Sequence, residues 1–276
     1  IFNAMMATLN AGEEVIIPAP YWVSYPDIVR MAGGKPVPVP CPDGHKISAS
    51  MLERAITPGT RWLILNSPNN PSGAVYSQEE LLALADVLRR HPAVLILSDD
   101  IYEFFVYDSV RFSTMASVAP DLYGRTLTVN GFSKAYSMIG WRIGYGGGPV
   151  DLIAAMLKVQ SQVTSGTATI VQAGAVAALR IPREQLIAVA AEYQLRRDRV
   201  LLLLAGMPKL RCPRPDGAFY VYPDCSAYMG ALTPDGKRIR SDEDLAEFLL
   251  DRVAVVTVPG SAFGTGPALR LSYTCP

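Results

Sequence analysis

Leu127-Thr128-Val129-Asn130-Gly131-Phe132-Ser133-Lys134 decides how this chain folds. The first three residues are an apolar run that reads as a buried strand, and the strand breaks into a small polar turn that presents a single lysine. Arg142 follows eight residues later, within Gly140-Trp141-Arg142-Ile143-Gly144-Tyr145. A lysine amine can form a Schiff base with a carbonyl. A guanidinium can grip a phosphate through two parallel hydrogen bonds. A lysine at a strand end is by itself an ordinary surface group, so the weight rests on what surrounds it.

Two further runs have the same form. Trp62-Leu63-Ile64-Leu65 leads into Asn66-Ser67-Pro68-Asn69-Asn70-Pro71-Ser72-Gly73, and Val94-Leu95-Ile96-Leu97 leads into Ser98-Asp99-Asp100-Ile101-Tyr102. Continuous apolar strands separated by helices predict an α/β fold, a mostly parallel sheet with helices on both faces. Ligands of such sheets sit outside the carboxyl ends of the strands. Asn70, Asp99, Tyr102 and Lys134 are therefore expected at one rim, with Asp100 the solvated member of the aspartate pair.

Around this frame, Glu14 to Pro18 reads as a strand, Tyr25 to Met31 and Ser50 to Ile56 as helices, and Val37-Pro38-Val39 as an edge strand, since proline cannot donate to a ladder. Ile1, Met5 and Leu9 stand at helical spacing, with Gly12 expected to close that helix. Ser77 and Glu80 form a capping box. Asp151 to Ala205 reads as helical, interrupted at Ser165-Gly166 and near Pro182. Beyond it, Gly217 to Val221, Val253 to Val258 and Ala268 to Ser272 read as short strands, with a capped helix opening at Ser241. The change of pattern predicts a large domain over residues 1–189 and a smaller α+β domain over 190–276.

Composition bounds the function. The 276 residues are 50% hydrophobic and 18% charged, with a net charge of zero, so a sizeable core can form and no basic surface marks nucleic acid or an anionic membrane as a partner. The longest apolar runs, such as Val200 to Met207, are far below the ~20 residues needed to span a bilayer. Cys41, Cys212, Cys225 and Cys275 form no CxxC pair, and with His45 and His91 as the only histidines no metal cluster is expected. Scattered thiols fit a reducing cytoplasm. The chain opens on Ile1 inside a helical pattern and stops directly after a strand, so both ends are expected to be cut.

Asn66 to Gly73, Ser98 to Glu103, Asn130 to Tyr145 and Leu269-Arg270-Leu271-Ser272-Tyr273 together resemble the fold-type I pyridoxal-phosphate aminotransferases of class I and II. The resemblance covers nearly the whole chain. Pro215 to Tyr220, Thr233 to Lys237 and Gly260 to Gly264 look like the bacterial aspartate aminotransferases, some of which also use prephenate. The resemblance implies transamination of an amino acid, aspartate with 2-oxoglutarate as acceptor, and a homodimer. A β-lyase on the same fold and the ligand-sensing domain of a transcription regulator share these motifs and stay open.

Roles carry over residue by residue. Lys134 matches the Schiff-base lysine and Asp99 the partner of the pyridine nitrogen. Tyr102 and Asn70 match the donors to the cofactor's phenolic oxygen. Trp22 matches the aromatic stacked on the ring, Arg142 the phosphate ligand and Arg270 the α-carboxylate ligand. Asn70 and Trp22 also match substrate contacts. Two departures stand out. Many relatives carry serine or threonine where Gly131 stands, with Ser133 as the nearest substitute. The family's glycine-containing phosphate loop would also precede Ile1, so weak cofactor binding is expected of the chain as written.

Overall fold

In a computed structural model, described at residues 1–207 and 209–274, six strands form one sheet in the order β2-β1-β3-β4-β5-β6. They are β1 (Glu14–Ala19), β2 (Lys35–Pro40), β3 (Thr60–Asn66), β4 (Leu95–Asp99), β5 (Thr126–Gly131) and β6 (Gly144–Gly147). All pairs are parallel except β5–β6. The α/β reading holds, and the proline-bearing β2 lies at the edge, where its missing donors cost nothing.

The helices are α1 (Phe2–Thr8), α2 (Ser24–Met31), α3 (Ala49–Ala55), α4 (Gln78–Arg90), α5 (Met115–Val118), α6 (Val150–Val163), α7 (Thr169–Ala178), α8 (Arg183–Ala205) and α9 (Asp242–Val253). One face of the sheet packs Leu63, Leu65 and Ile96 against Leu81, Leu84 and Leu88 of α4. The other packs Trp62, Ile64, Leu97 and Leu127 against α1, α2 and α6. Burial on both faces explains why these strands read as unbroken apolar runs rather than as alternating ones.

Ser77 and Glu80 form the full reciprocal capping box at the start of α4. Ser77→Ala is expected to cost about 1 kcal/mol, read as a lower denaturation midpoint at unchanged activity, because neither Ser77 nor Glu80 is among the rim residues.

A second sheet joins β7 (Tyr220–Val221), β8 (Val258–Pro259) and β9 (Leu269–Ser272) in the order β7-β9-β8. It is fastened to the first near the rim: the Gly217 amide donates to the Gly73 carbonyl at 2.8 Å and the Ala218 amide to Phe105 at 2.9 Å. Gly73 is in the left-handed region at φ 70°, and a Cβ there would lie 2.4 Å from Pro215 Cβ. This crossing needs glycine on both counts.

Three readings are corrected. The expected strand Val253 to Val258 is mostly helix end and loop. Ala254 turns left-handed at φ 54° and closes α9, leaving Val256 77% exposed with no strand paired to it among the described residues. β-branched residues form strands only where a pleated neighbour receives them. Helix α1 ends at Thr8, before Gly12, whose amide instead bonds the Gly33 carbonyl at 3.0 Å. Asp100 is not solvated. It is 3% exposed and accepts a 2.7 Å hydrogen bond from Ser98 Oγ, and burial pushes its carboxyl up to about 7.

Cys41, Cys212 and Cys225 are free thiols, and Cys275 lies outside the described residues. Among the described residues no helix is long and apolar enough to cross a membrane.

Candidate active site

The rim follows from strand register. Asn66 pairs with Asp99, and Asp99 with Val129, so the ends of β3, β4 and β5 stand side by side. Lys134 lies in the turn that follows β5. The antiparallel return sets Gly131 against Gly144, which brings Arg142 back to the same edge. From the second sheet, β9 brings Arg270 and β7 brings Tyr220. The result is a cavity of about 690 Å³ that Trp22, Asn70, Asp99, Tyr102, Lys134, Arg142 and Arg270 all line. Residues from six separate stretches thus meet in one space of the size that small-molecule sites occupy.

The segment 66–73 is held open by its own side chains. Asn66 Nδ2 donates to the Asp99 carbonyl at 3.0 Å, and Asn66 Oδ1 accepts from the Asn70 amide at 2.9 Å. Asn69 Oδ1 accepts from Ser72 Oγ at 2.8 Å. This turn chemistry leaves the Asn70 side chain free of its own loop. It accepts instead from Arg270 Nη1 at 3.0 Å.

Arg270 lies over the Tyr220 ring at 4.7 Å and the Phe263 ring at 5.1 Å, and its Nε is buried without a partner. A half-buried guanidinium whose Nε is a buried, unmet donor, with no carboxylate paired to it among the described residues, is arranged to receive an anion.

Asp99 is 7% exposed. Burial pushes its carboxyl up, while the Tyr25 phenol, the Ile101 amide and the Lys134 charge hold it down. Tyr25 Oη donates to Asp99 Oδ2 at 2.6 Å, and the Ile101 amide to Oδ1 at 3.3 Å. Tyr102 Oη lies 2.9 Å from Tyr220 Oη.

The Lys134 amine sits 5.7 Å from the Tyr102 ring and 5.6 Å from that of Phe219. Burial lowers its pKa, and the Arg270 and Arg142 charges push the same way against Asp99. That combination favours a neutral, nucleophilic amine.

Arg142 differs from the buried members. It is exposed at the rim, in the left-handed region at φ 53°, with Nη1 donating to the Ile139 carbonyl at 3.0 Å. A Cβ on Gly131 would lie 3.1 Å from Gly144 Cα, so the close β5–β6 approach leaves little room for serine or threonine there. Ser133, beside the lysine, lines the cavity.

Tyr25 and Tyr220 line the same cavity but were not singled out in the sequence. Tyr220 stands inside Gly217-Ala218-Phe219-Tyr220, a stretch that carried the resemblance. Tyr25 opens the expected helix Tyr25 to Met31, a pattern that does not mark its partner.

The comparisons with known proteins agree with this geometry. The family described as "Aminotransferase class I and II" matches residues 1–276. The aspartate aminotransferase of Rhizobium meliloti (strain 1021) is 53% identical over 275 residues, 99% of this chain and 67% of that relative. The aspartate/prephenate aminotransferase of Cereibacter sphaeroides is 52% identical over 99% of this chain and 69% of its own length. The crystal structure of the aspartate aminotransferase from Rhizobium meliloti superposes with a TM-score of 0.96 at 52% identity, covering 100% of this chain and 69% of that one. The chain spans about two thirds of the length of the curated relatives it matches.

Proposed function

We propose, from the premise that the chain belongs to the class I and II aminotransferases, that its cavity binds pyridoxal 5'-phosphate and moves the amino group of aspartate to 2-oxoglutarate. One observation carries the reading: a depressed-pKa lysine, a buried carboxylate, a phenol pair and an arginine with an unmet donor converge on one cavity. The donor set suits the cofactor. Asp99 would hold the ring N–H, Tyr102 and Asn70 the phenolic oxygen, Trp22 the ring face and Arg142 the phosphate. When bound, the cofactor supplies a carbonyl that carries the amino group and a ring that draws electrons from the substrate Cα.

The chain's own residues do the rest. Lys134, whose hold on its own proton is weakened by burial, takes the proton from the substrate Cα and delivers it to the carbon that carries the cofactor's carbonyl, and it runs the reverse transfer with the acceptor. Arg270 fixes the α-carboxylate with a two-pronged contact, and Asn70, already bonded to it, sets the fork's orientation. Fixing the carboxylate fixes the direction of the Cα–H bond, a positioning contribution. The Tyr102 and Phe219 rings, 5.7 and 5.6 Å from the amine, shield it from water on that side.

The relatives named above carry aminotransferase names, and neither the lyase nor the regulator reading is favoured. Aspartate is the proposed donor because those names share it, with prephenate the acceptor to assay second. A second copy of the chain is the proposed partner. Support comes from the exposed apolar side chains of α6 to α8, among them Leu157 at 59%, Ile170 at 76% and Leu195 at 72%. The cytoplasm is the proposed compartment, in keeping with the free thiols. We keep the two-domain division at residue 190, with α8 as the arm that runs across it.

Arg270→Leu tests the reading. It is expected to lower kcat/KM for aspartate by about 10²- to 10³-fold, the loss of a desolvated two-pronged ion contact. Cofactor absorbance should be retained. Unchanged kcat/KM for aspartate in a folded Arg270→Leu protein would sink the substrate assignment.

A further inference from the structure

Tyr25 is 2% exposed, and its hydroxyl has one hydrogen-bond partner among the described residues, Asp99 Oδ2 at 2.6 Å. It sits in the first turn of α2, and its amide bonds the Trp22 carbonyl at 3.0 Å. Its ring meets the Trp22 ring edge to face, with centroids 5.3 Å apart and planes at 88°. A single side chain therefore touches both a carboxylate and an aromatic ring that line the cavity. A phenol buried for packing alone needs only some acceptor. This one is bonded at short range to a carboxylate that is itself almost wholly enclosed.

We propose that Tyr25 is a positioning residue that fixes the Asp99 carboxylate for a cationic aromatic heterocycle and braces Trp22 to stack on that same ring. The inference rests on the cofactor reading above and deepens it. A carboxylate can hold a ring N–H only while it is ionised and correctly aimed. Burial works against ionisation here, and the Tyr25 hydroxyl is the largest opposing influence. Without that donor the carboxylate loses its fixed orientation, and the ring nitrogen loses part of its hold on the proton. The brace on Trp22 is independent of the hydroxyl, so the two contributions separate by mutation.

The test uses the protein loaded with ¹⁵N-labelled pyridoxal phosphate. The ¹⁵N chemical shift of the ring nitrogen in the wild type is expected at the protonated position. Absence of bound cofactor in the wild type would overturn the underlying reading rather than this one. In Tyr25→Phe the shift is expected to move toward the neutral nitrogen. kcat is expected to fall about tenfold, as for loss of a hydrogen bond to a charged group, with KM for aspartate little changed. Tyr25→His, which keeps a ring and a donor, is expected to recover much of both. In an Asp99→Asn background, Tyr25→Phe is expected to cost nothing further. An unmoved ¹⁵N signal in Tyr25→Phe, or in Tyr25→Leu should the first variant not fold, overturns the proposal. Full additivity with Asp99→Asn does the same.

Discussion

Replacing Lys134 with alanine is expected to lower kcat/KM for transamination by at least about 10⁴-fold, the upper range for removal of a positioned acid–base group, while leaving the fold intact. The amine lies against the faces of Tyr102 and Phe219 and has no ion-pair partner among the described residues. Truncating it breaks no ion pair, and the buried Asp99 keeps its Tyr25 and Ile101 donors, so the melting temperature should change little. The sign of its titration matters to the chemistry. Its pKa is depressed, by burial first and by Arg270 and Arg142 second. The neutral fraction at any pH below the ordinary lysine value is correspondingly larger, so activity dependent on the free amine should rise with pH earlier than an exposed lysine would allow. Steady-state assays of the two proteins, alongside thermal melts, decide the point. A folded Lys134→Ala enzyme with near wild-type turnover would refute the assignment.

Arg197→Ala is expected to destabilise the protein by about 3 kcal/mol, the largest stability effect anticipated for one side chain here. Arg197 is fully buried. It pairs with Asp108 at 2.7 Å and Asp198 at 2.9 Å, donates to the Pro215 carbonyl at 3.0 Å and lies over the Tyr107 ring at 4.8 Å. Alanine would leave the Pro215 carbonyl and part of the Asp108 carboxylate without their partner.

The site would feel the loss. Pro215 is followed by Asp216 and then Gly217, whose amide ties the second sheet to Gly73 at the rim. The pH dependence has a definite direction. Hydrogen bonds from Arg197 and Arg214 hold the Asp108 carboxyl down at about 2. The contribution of this group is complete above the ordinary aspartate value near 4 and is lost as pH falls through about 2. Urea midpoints at neutral pH should differ clearly between wild type and variant, and the gap should narrow in strong acid.

Much of the framework was legible because the physics was local. Leu63 to Leu65, Ile96-Leu97 and Leu127 to Val129 are buried on both faces of a parallel sheet, a state that leaves an unbroken apolar run in the sequence. Ser77 and Glu80 announce α4 because a capping box is completed within four residues.

What escaped the sequence depended on distant partners. Tyr25 meets Asp99 across 74 positions of chain, and nothing near Tyr25 encodes that meeting. Asp100 reads as a turn aspartate; its Ser98 partner is only two residues away, and what escaped was the packing that leaves it 3% exposed. Val255 and Val256 have the composition of a strand but no strand paired to them among the described residues. The seven residues expected at the site do line one cavity: strand register aligns the ends of β3, β4 and β5, the β6 return brings Arg142, and β9 brings Arg270.

The central claim is that the Lys134 amine and the Asp99 carboxylate serve one bound pyridoxal phosphate. The most direct measurement is to incubate the protein with the cofactor, reduce with borohydride, digest, and locate the pyridoxyl group by mass spectrometry. The account predicts stoichiometric labelling of the peptide that contains Lys134. Labelling confined to another lysine, or no labelling of folded protein at saturating cofactor, would contradict it.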